Sequence, residues 1–552
     1  MKLLEFLYNR LKSHGVDHIF GIPGESIHLH YHYLYQSSIE PIIMTHEPSV
    51  GYAVDAYSRI RGLGAALVSY GVGSLNLVNA VGQAYAEKSP VVVISGGPGV
   101  LEREKYSFLH HKVRSYDTHK KVMDEVTEMS IIINNPNTAA SDIDKALNTA
   151  LTLKRPVYIE IPRDMCEIEV QDIAPQVKKT IVEDEAALEE AINEIVRLVN
   201  ASSNPVIIGG AELSRIKIQD KLLAFAELTN IPVASSILGK SVFPEEHDLA
   251  MGVYFGELSN PRVAEYINKS DCVLMLGVIL SDINLGMFTA KISLNDAVIA
   301  NIDGLKVKNH YYQQIRLDTL MQRLVARNDL KRHSSNFPKM QAPNYLVEQD
   351  SQKITVKSML TLVNEFLSNG KHRVICDVGD CLFAGQELQI KGASAFLSPA
   401  YYLSMGFAVP GAVGAQFADP SSRPVVMVGD GAFQMTGTEV LTMAKCKLNP
   451  IIIVFNNSIY ATLKYCEPKA TQKDHKIPTI EYCKIAEIYG GKGFKVTSIG
   501  DMKRAFKESE NINDTFVLFD VHLEKDDISP ALRTFGEKLG SFVEGSATGK
   551  LT

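Results

Sequence analysis

Nine short, unbroken apolar runs punctuate this chain: 91-VVVISG-96, 156-PVYIEIP-162, 205-PVIIGG-210, 272-CVLMLG-277, 297-AVIANI-302, 373-RVICDVG-379, 424-PVVMVGD-430, 450-PIIIVFN-456 and 516-FVLFDV-521. Segments of helical period separate them, the pattern of parallel sheets covered by helices. The runs fall into three clusters of similar size. Between the clusters lie two polar, irregular stretches, 168-IEVQDIAPQVKKTIVEDEAALEE-190 and 328-NDLKRHSSNFPKMQAPNYLVEQDSQK-353, of the kind that connects domains. The prediction is an α/β protein of three doubly wound domains with parallel sheets. They are placed at 1–170, 185–340 and 355–530, with a tail at 531–552. Their similar lengths would fit a triplicated architecture.

A chain of 552 residues exceeds what one core supports, consistent with that division. A net charge of -7 and the absence of any Lys/Arg block argue against a nucleic-acid partner. No run approaches about 18 apolar residues, so no membrane span is expected. The opening MKLLEFLYNRLKSHG reads as an amphipathic helix through Leu3, Leu4, Phe6, Leu7 and Leu11, not as a secretion signal. The seven cysteines have no metal-ligand spacing and read as free thiols, which fits a reducing, cytoplasmic setting.

The chemistry concentrates in 424-PVVMVGDGAFQMTGTEVLTMAKCKLNPIIIVFNN-457. A buried strand runs into Gly429-Asp430-Gly431, a helix follows, and a second buried strand delivers Asn456 and Asn457. Glycines at the end of a strand let backbone N–H groups approach phosphate oxygens, and the C-terminal edge of a parallel sheet is where such folds bind ligands. Asp430 and Asn457 lie 27 positions apart, one strand–helix–strand repeat, so both emerge at one end of neighbouring strands. A carboxylate, an amide oxygen, a backbone carbonyl and two phosphate oxygens suit octahedral Mg²⁺.

This stretch resembles the diphosphate-binding signature of thiamine-diphosphate enzymes, and the resemblance extends over essentially the whole chain. It implies a pyrimidine-binding first domain, a middle domain and a diphosphate-binding third domain. It implies thiamine diphosphate and Mg²⁺ as cofactors, with Asp430, Asn457 and the Ile459 carbonyl on the metal. Gly431, Ala432 and the turn through Tyr460 would contact the diphosphate, and Asp380 is also implied as a cofactor contact. In 43-IMTHEPSVGYAVDAYSRIRG-62, Glu47 takes the place of the glutamate that faces the aminopyrimidine ring, where a carboxyl group promotes the cofactor's activating tautomer. Met405 matches the large apolar residue that props the cofactor, and the Leu403 carbonyl would accept from its amino group. Glu47 and Asp430 belong to different domains, and the resembling enzymes pair them across two subunits. A homodimer is therefore implied as the smallest active unit, with a homotetramer as the full assembly.

Within that superfamily the chain resembles the non-oxidative 2-oxoacid decarboxylases, and among them it looks most like the phenylpyruvate/indolepyruvate group. These enzymes carry a His-His pair where 106-YSFLHHKVRSYDTH-119 has His110 and His111, and an acid in the GxPG turn, here Glu25 of 21-GIPGES-26. Histidine titrates near neutrality and suits a proton relay. The implied reaction turns a 2-oxoacid into aldehyde and CO₂ through a cofactor enamine that the Glu25/His110/His111 group protonates. Two departures stand out. The family's usual Asp is Glu25 here, and 456-NNSIYATL-463 puts Leu463 where pyruvate decarboxylases have a glutamate. With Leu382 in place of a bulky aromatic, Leu463 implies a wide, apolar chamber for an aromatic or branched side chain. Asp282 is placed beside the site by position alone. The rival readings are an acetolactate-synthase-like carboligase and a hydroxyacyl-CoA-type lyase; His110-His111 argues against the first. The middle domain has no complete GxGxxG motif and reads as structural or regulatory. The tail, with Leu532, Phe535, Leu539 and Phe542, reads either as a lid or as a frayed end.

Overall fold

The computed structural model describes residues 1–171, 183–334, 336–368, 370–466 and 475–547. Residues 172–182 of the first expected linker thus lie outside the described residues. Three sheets carry the fold, one from each cluster of apolar runs. The first draws its strands from His18–Gly21 (β1), Glu40–Ile43 (β2), Gly64–Val68 (β3), Val91–Gly97 (β4), Met129–Ile132 (β5) and Val157–Pro162 (β6). All pair in parallel, in the order β2-β1-β3-β4-β6-β5. The middle sheet contains Pro205–Gly209 (β7), Val233–Ser235 (β8), Ala250–Val253 (β9), Cys272–Leu276 (β10), Val298–Asn301 (β11), Gly304–Val307 (β12) and His310–Tyr312 (β13). Its order is β13-β12-β11-β10-β7-β8-β9. The third sheet contains His372–Cys376 (β14), Phe396–Leu397 (β15), Arg423–Gly429 (β16), Ile451–Asn456 (β17), Lys492–Val496 (β18) and Val517–His522 (β19), again all parallel, in the order β15-β14-β16-β17-β19-β18.

Counted from its own first strand, each outer sheet follows 2-1-3-4-6-5. Their winding is identical. The middle sheet winds differently and ends in an antiparallel β11-β12-β13 edge. Triplication is therefore corrected to a matched pair flanking a distinct domain. The nine apolar runs became nine of these strands; the ten others are two to five residues long.

The outer domains share one core. The helix Glu47–Arg61 packs against the helix Ala408–Ala418, and Val50, Tyr57, Phe407 and Val413 meet in a cluster that spans both domains. The crossing is so close that a Cβ on Gly414 would strike the Ala53 carbonyl. Full burial of each large apolar side chain there contributes about 2 kcal/mol. A buried ion network adds to the junction: Arg59 pairs with Asp55 and Glu87, and Glu87 accepts from the backbone N–H groups of Tyr401 and Tyr402. Charges without solvent are tolerable only when paired in this way.

The opening helix spans Leu3–Ser13 and buries Leu3, Leu4, Phe6, Leu7 and Leu11. The tail forms the helix Pro530–Ala547, which rests on the helices Asp380–Glu387 and Ala461–Cys466 through Leu532 and Phe535. Phe542's side chain lies outside what is described. Among the described residues no helix is long and apolar enough to cross a membrane.

Candidate active site

The register of β16 and β17 explains the cradle. Gly429 lies opposite Phe455, so the parallel strands end together and release Asp430 and Asn457 at one edge. The two asparagines then divide their tasks. Asn456 is spent on structure, donating to Asp520 at 2.8 Å and to the Ile480 carbonyl at 2.9 Å. Asn457 borders a cavity of about 320 Å³, with Asp430, Ile459, Tyr460, Met405 and Leu463 also in its wall. Ser458, between Asn457 and Ile459, holds left-handed backbone at φ 56°, a conformation rare for a residue with a Cβ and typical of constrained sites. Leu403, also in the cavity wall, does the same at φ 60°.

Whether a magnesium diphosphate fits can be judged from this chain alone. Asp430 is 2% exposed, and its oxygens accept from Gly431 N at 2.9 Å and Ser458 N at 2.6 Å. Among the described residues no cation pairs with it. Burial pushes its carboxyl up to about 6, because water no longer stabilises the anion. A divalent ion would remove that penalty. The described residues hold no cluster of three His, Cys, Asp or Glu suited to a metal, so an ion here would take mixed oxygen donors: the Asp430 carboxylate, the Asn457 amide and a backbone carbonyl. Beside them, a Cβ on Gly429 would meet only open space, whereas one on Gly431 would collide with the Tyr460 ring. The donor set and the space fit the group.

Two expected contacts take other places. Leu382, expected on the chamber wall, is corrected to a core residue: it is 1% exposed, does not border the cavity, and packs with Ile283, Phe383 and Leu532. Asp282 does not line the cavity either, and its carboxylate caps the N–H of Ile283. Asp380 does border the cavity, but its carboxylate accepts from the N–H and hydroxyl of Ser529, where the tail helix begins. Burial pushes Asp380 up to about 6. Leu463 stands on the rim, about half exposed.

Sequence reasoning missed Asp377. It is wholly buried, and its two oxygens accept from Gly406 N at 2.9 Å, Ala408 N at 2.8 Å and Val378 N at 2.9 Å. It thereby fastens the turn bearing Leu403 and Met405 to the end of β14. The signal was present in 377-DVGD-380, where only the second acid was chosen.

The first-domain residues gather elsewhere. His110 Nε2 lies 3.0 Å from Glu25 Oε2, and Arg163 Nη1 reaches Glu25 Oε1 at 3.2 Å. The rings of His110 and His111 sit edge to face with centroids 4.7 Å apart. Partial burial, then the neighbouring His110, hold the His111 pKa below its ordinary value, favouring a neutral imidazole. The Glu47 carboxylate accepts from Asn76 at 2.9 Å at the start of its helix. None of Glu25, Glu47, His110 and His111 borders the cavity at Asp430 within one chain.

Comparison with known proteins agrees with this geometry. Residues 1–122 match the N-terminal TPP binding domain of thiamine pyrophosphate enzymes, residues 192–322 the central domain, and residues 377–521 the C-terminal TPP binding domain. The chain is 32% identical to the indole-3-pyruvate decarboxylase of Azospirillum brasilense, over 97% of this chain and 98% of that one. It is 28% identical to the pyruvate decarboxylase of Hanseniaspora uvarum over 96% of both chains, and 26% identical to pyruvate decarboxylase isozyme 1 of Saccharomyces cerevisiae over 92% and 93%.

Proposed function

We propose, for a chain that belongs to the thiamine-diphosphate-dependent 2-oxoacid decarboxylases, that the preferred substrate is a 2-oxoacid with an aromatic or branched side chain. The observation that carries this reading is Leu463: an apolar side chain on the rim of the cavity that Asp430, Asn457 and Met405 share. An apolar rim favours a large hydrophobic substituent over a methyl group. The similarity to an indole-3-pyruvate decarboxylase supports the same choice.

Bound in the cradle, thiamine diphosphate supplies the electron sink that allows a 2-oxoacid to lose CO₂. Asp430, Asn457 and the Ile459 carbonyl would hold its Mg²⁺, and Gly431, Ala432 and Tyr460 would contact the diphosphate, with Asp380 at the cavity edge. Leu403 and Met405, on the turn fastened by Asp377, would support the cofactor from the cavity wall. Glu47 offers its carboxyl for the proton exchange of the activating step. Glu25, His110 and His111 deliver the proton that replaces the lost carboxylate on the product carbon, and the lowered pKa of His111 keeps one ring ready to accept the next proton. Asp282 lies outside this set. The units are taken as residues 1–170, 185–340 and 355–530, with the tail from 531 over the third domain.

Glu47 and the histidines do not reach the cradle of their own chain, which supports a homodimer whose two sites each combine halves of both chains, and a homotetramer built from two such pairs. A coupled aldehyde assay with pyruvate, 2-oxoisovalerate, phenylpyruvate, indolepyruvate and benzoylformate tests the substrate reading. Phenylpyruvate or indolepyruvate should give kcat/KM at least about tenfold above pyruvate. Preference for pyruvate would refute it.

A further inference from the structure

Both limbs of the histidine loop are tied to one buried carboxylate. The loop leaves β4 at Gly97, forms the helix Val100–Lys105, carries His110 and His111, and returns in the helix Thr118–Asp124. Glu160, on the neighbouring β6, has no exposed surface. One of its oxygens accepts from Arg103 Nη2 on the outgoing limb. The other pairs with His119 Nε2 on the returning limb and accepts from Tyr158 at 3.2 Å. Arg103 also donates from Nε to the Pro98 carbonyl at 3.0 Å, gripping the strand exit. A Cβ at Gly97 would come within 2.5 Å of Glu160 Oε1, so glycine leaves the carboxylate its room.

Tyr70 joins this anchor to the histidine pair. Its ring lies edge to face with His119 at 5.5 Å and with His111 at 5.6 Å, and its hydroxyl donates to the His110 carbonyl. His111 holds φ 67°, a strained value that persists only where the surroundings impose it. A carboxylate without solvent is tolerated when both oxygens are used. Here they are used by the two ends of one loop.

We infer that Glu160 is a positioning residue for the histidine pair: through Arg103 and His119 it fixes the loop at both ends, and through Tyr70 it sets the place of His110 and His111. The inference rests on the proposed role of those histidines as proton carriers, which His110→Ala and His111→Ala test separately. Undiminished turnover in both would remove that role and leave the anchoring itself to the exchange measurement below.

The test uses the holoenzyme and hydrogen exchange read by mass spectrometry. Glu160→Gln should speed exchange in peptides covering 98–119 by about tenfold or more while the rest of the chain is unchanged. Cofactor affinity should stay within about twofold and KM should change little, with kcat falling about tenfold to a hundredfold, as expected when reacting groups shift by about 1 Å. His119 supplies the second arm. His119→Gln keeps a donor toward Glu160 and should retain most of kcat, whereas His119→Phe keeps the ring volume without the donor and should behave like Glu160→Gln. Unaltered exchange over 98–119 in both Glu160→Gln and His119→Phe would overturn the inference. If Glu160→Gln fails to fold, the His119 pair decides, and equal behaviour of Gln and Phe would overturn it as well.

Discussion

Asp377 takes no part in any bond made or broken, yet it governs where Leu403 and Met405 stand. Burial raises its carboxyl to about 6 in spite of three N–H donors, against about 3.9 in an unfolded chain. A raised value means that the native state keeps the proton longer. The stability contributed by this group is thus complete below about pH 4 and lost as pH rises through 6, roughly 3 kcal/mol for one fully buried acid. Asp377→Asn removes that dependence. The Tm difference between variant and wild type should therefore shift in the variant's favour from pH 4.5 to 7, and a constant difference would show an ordinary carboxylate. A second prediction concerns the rim. Leu463→Glu places a charge where an apolar substituent should rest, and should lower kcat/KM for phenylpyruvate by about tenfold relative to pyruvate; an unchanged ratio would mean that position 463 only packs. At this scale the sequence was informative where a motif has fixed spacing, as for Asp430 and Asn457. It did not single out Asp377 within 377-DVGD-380, nor Tyr70, because their partners, Gly406 and His110, are distant in sequence and only the fold joins them.

Among elements, the long central strands were legible because they are apolar on both faces and six or seven residues long, as in β4, β6 and β17. The short edges were not. β15 has two residues and β13 three, too few for any period to show, and they are strands only because a neighbour offers them hydrogen bonds. The identity of winding in the outer sheets was hidden for the same reason, since it depends on those edges. The tail helix could be drawn from its apolar residues, but not its docking. Phe535 is 6% exposed and packs on Phe383 with ring centroids 4.6 Å apart, next to the helix that begins at Asp380. Phe535→Ala should destabilise the third domain by about 3 kcal/mol and loosen cofactor retention, measured as an earlier first unfolding transition that added cofactor only partly restores. Wild-type unfolding in the variant would mean that the helix rests on the surface without supporting it.

For the whole molecule the decisive observation is that Glu25, Glu47, His110 and His111 stand apart from the cavity of Asp430 and Asn457 within one chain. Glu47→Ala and Asp430→Ala should each abolish turnover alone. Unfolded and reassembled together in equal amounts, they should regain about a quarter of wild-type activity, because half of the random pairs are mixed and each mixed pair has one intact site of two. No recovery would show that each chain works with its own residues. Domain count and fold class were legible at this scale; the pairing of the outer domains through Gly414 was not, as nothing local marks a glycine as a point of helix contact.

That crossing also orders events in time. The sheet of β1 to β6 is complete once the ribosome has passed residue 162, whereas Ala408–Ala418 follows only some 250 residues later. At roughly 5–20 residues per second, the exposed face of Glu47–Arg61 waits tens of seconds for its partner. During that interval Ala53 and Ala56, which meet Gly414 and Gly411 in the finished fold, lack that cover. The first domain must therefore persist as a nascent unit with an unsealed seam, and a chaperone that shields such seams would find its task there.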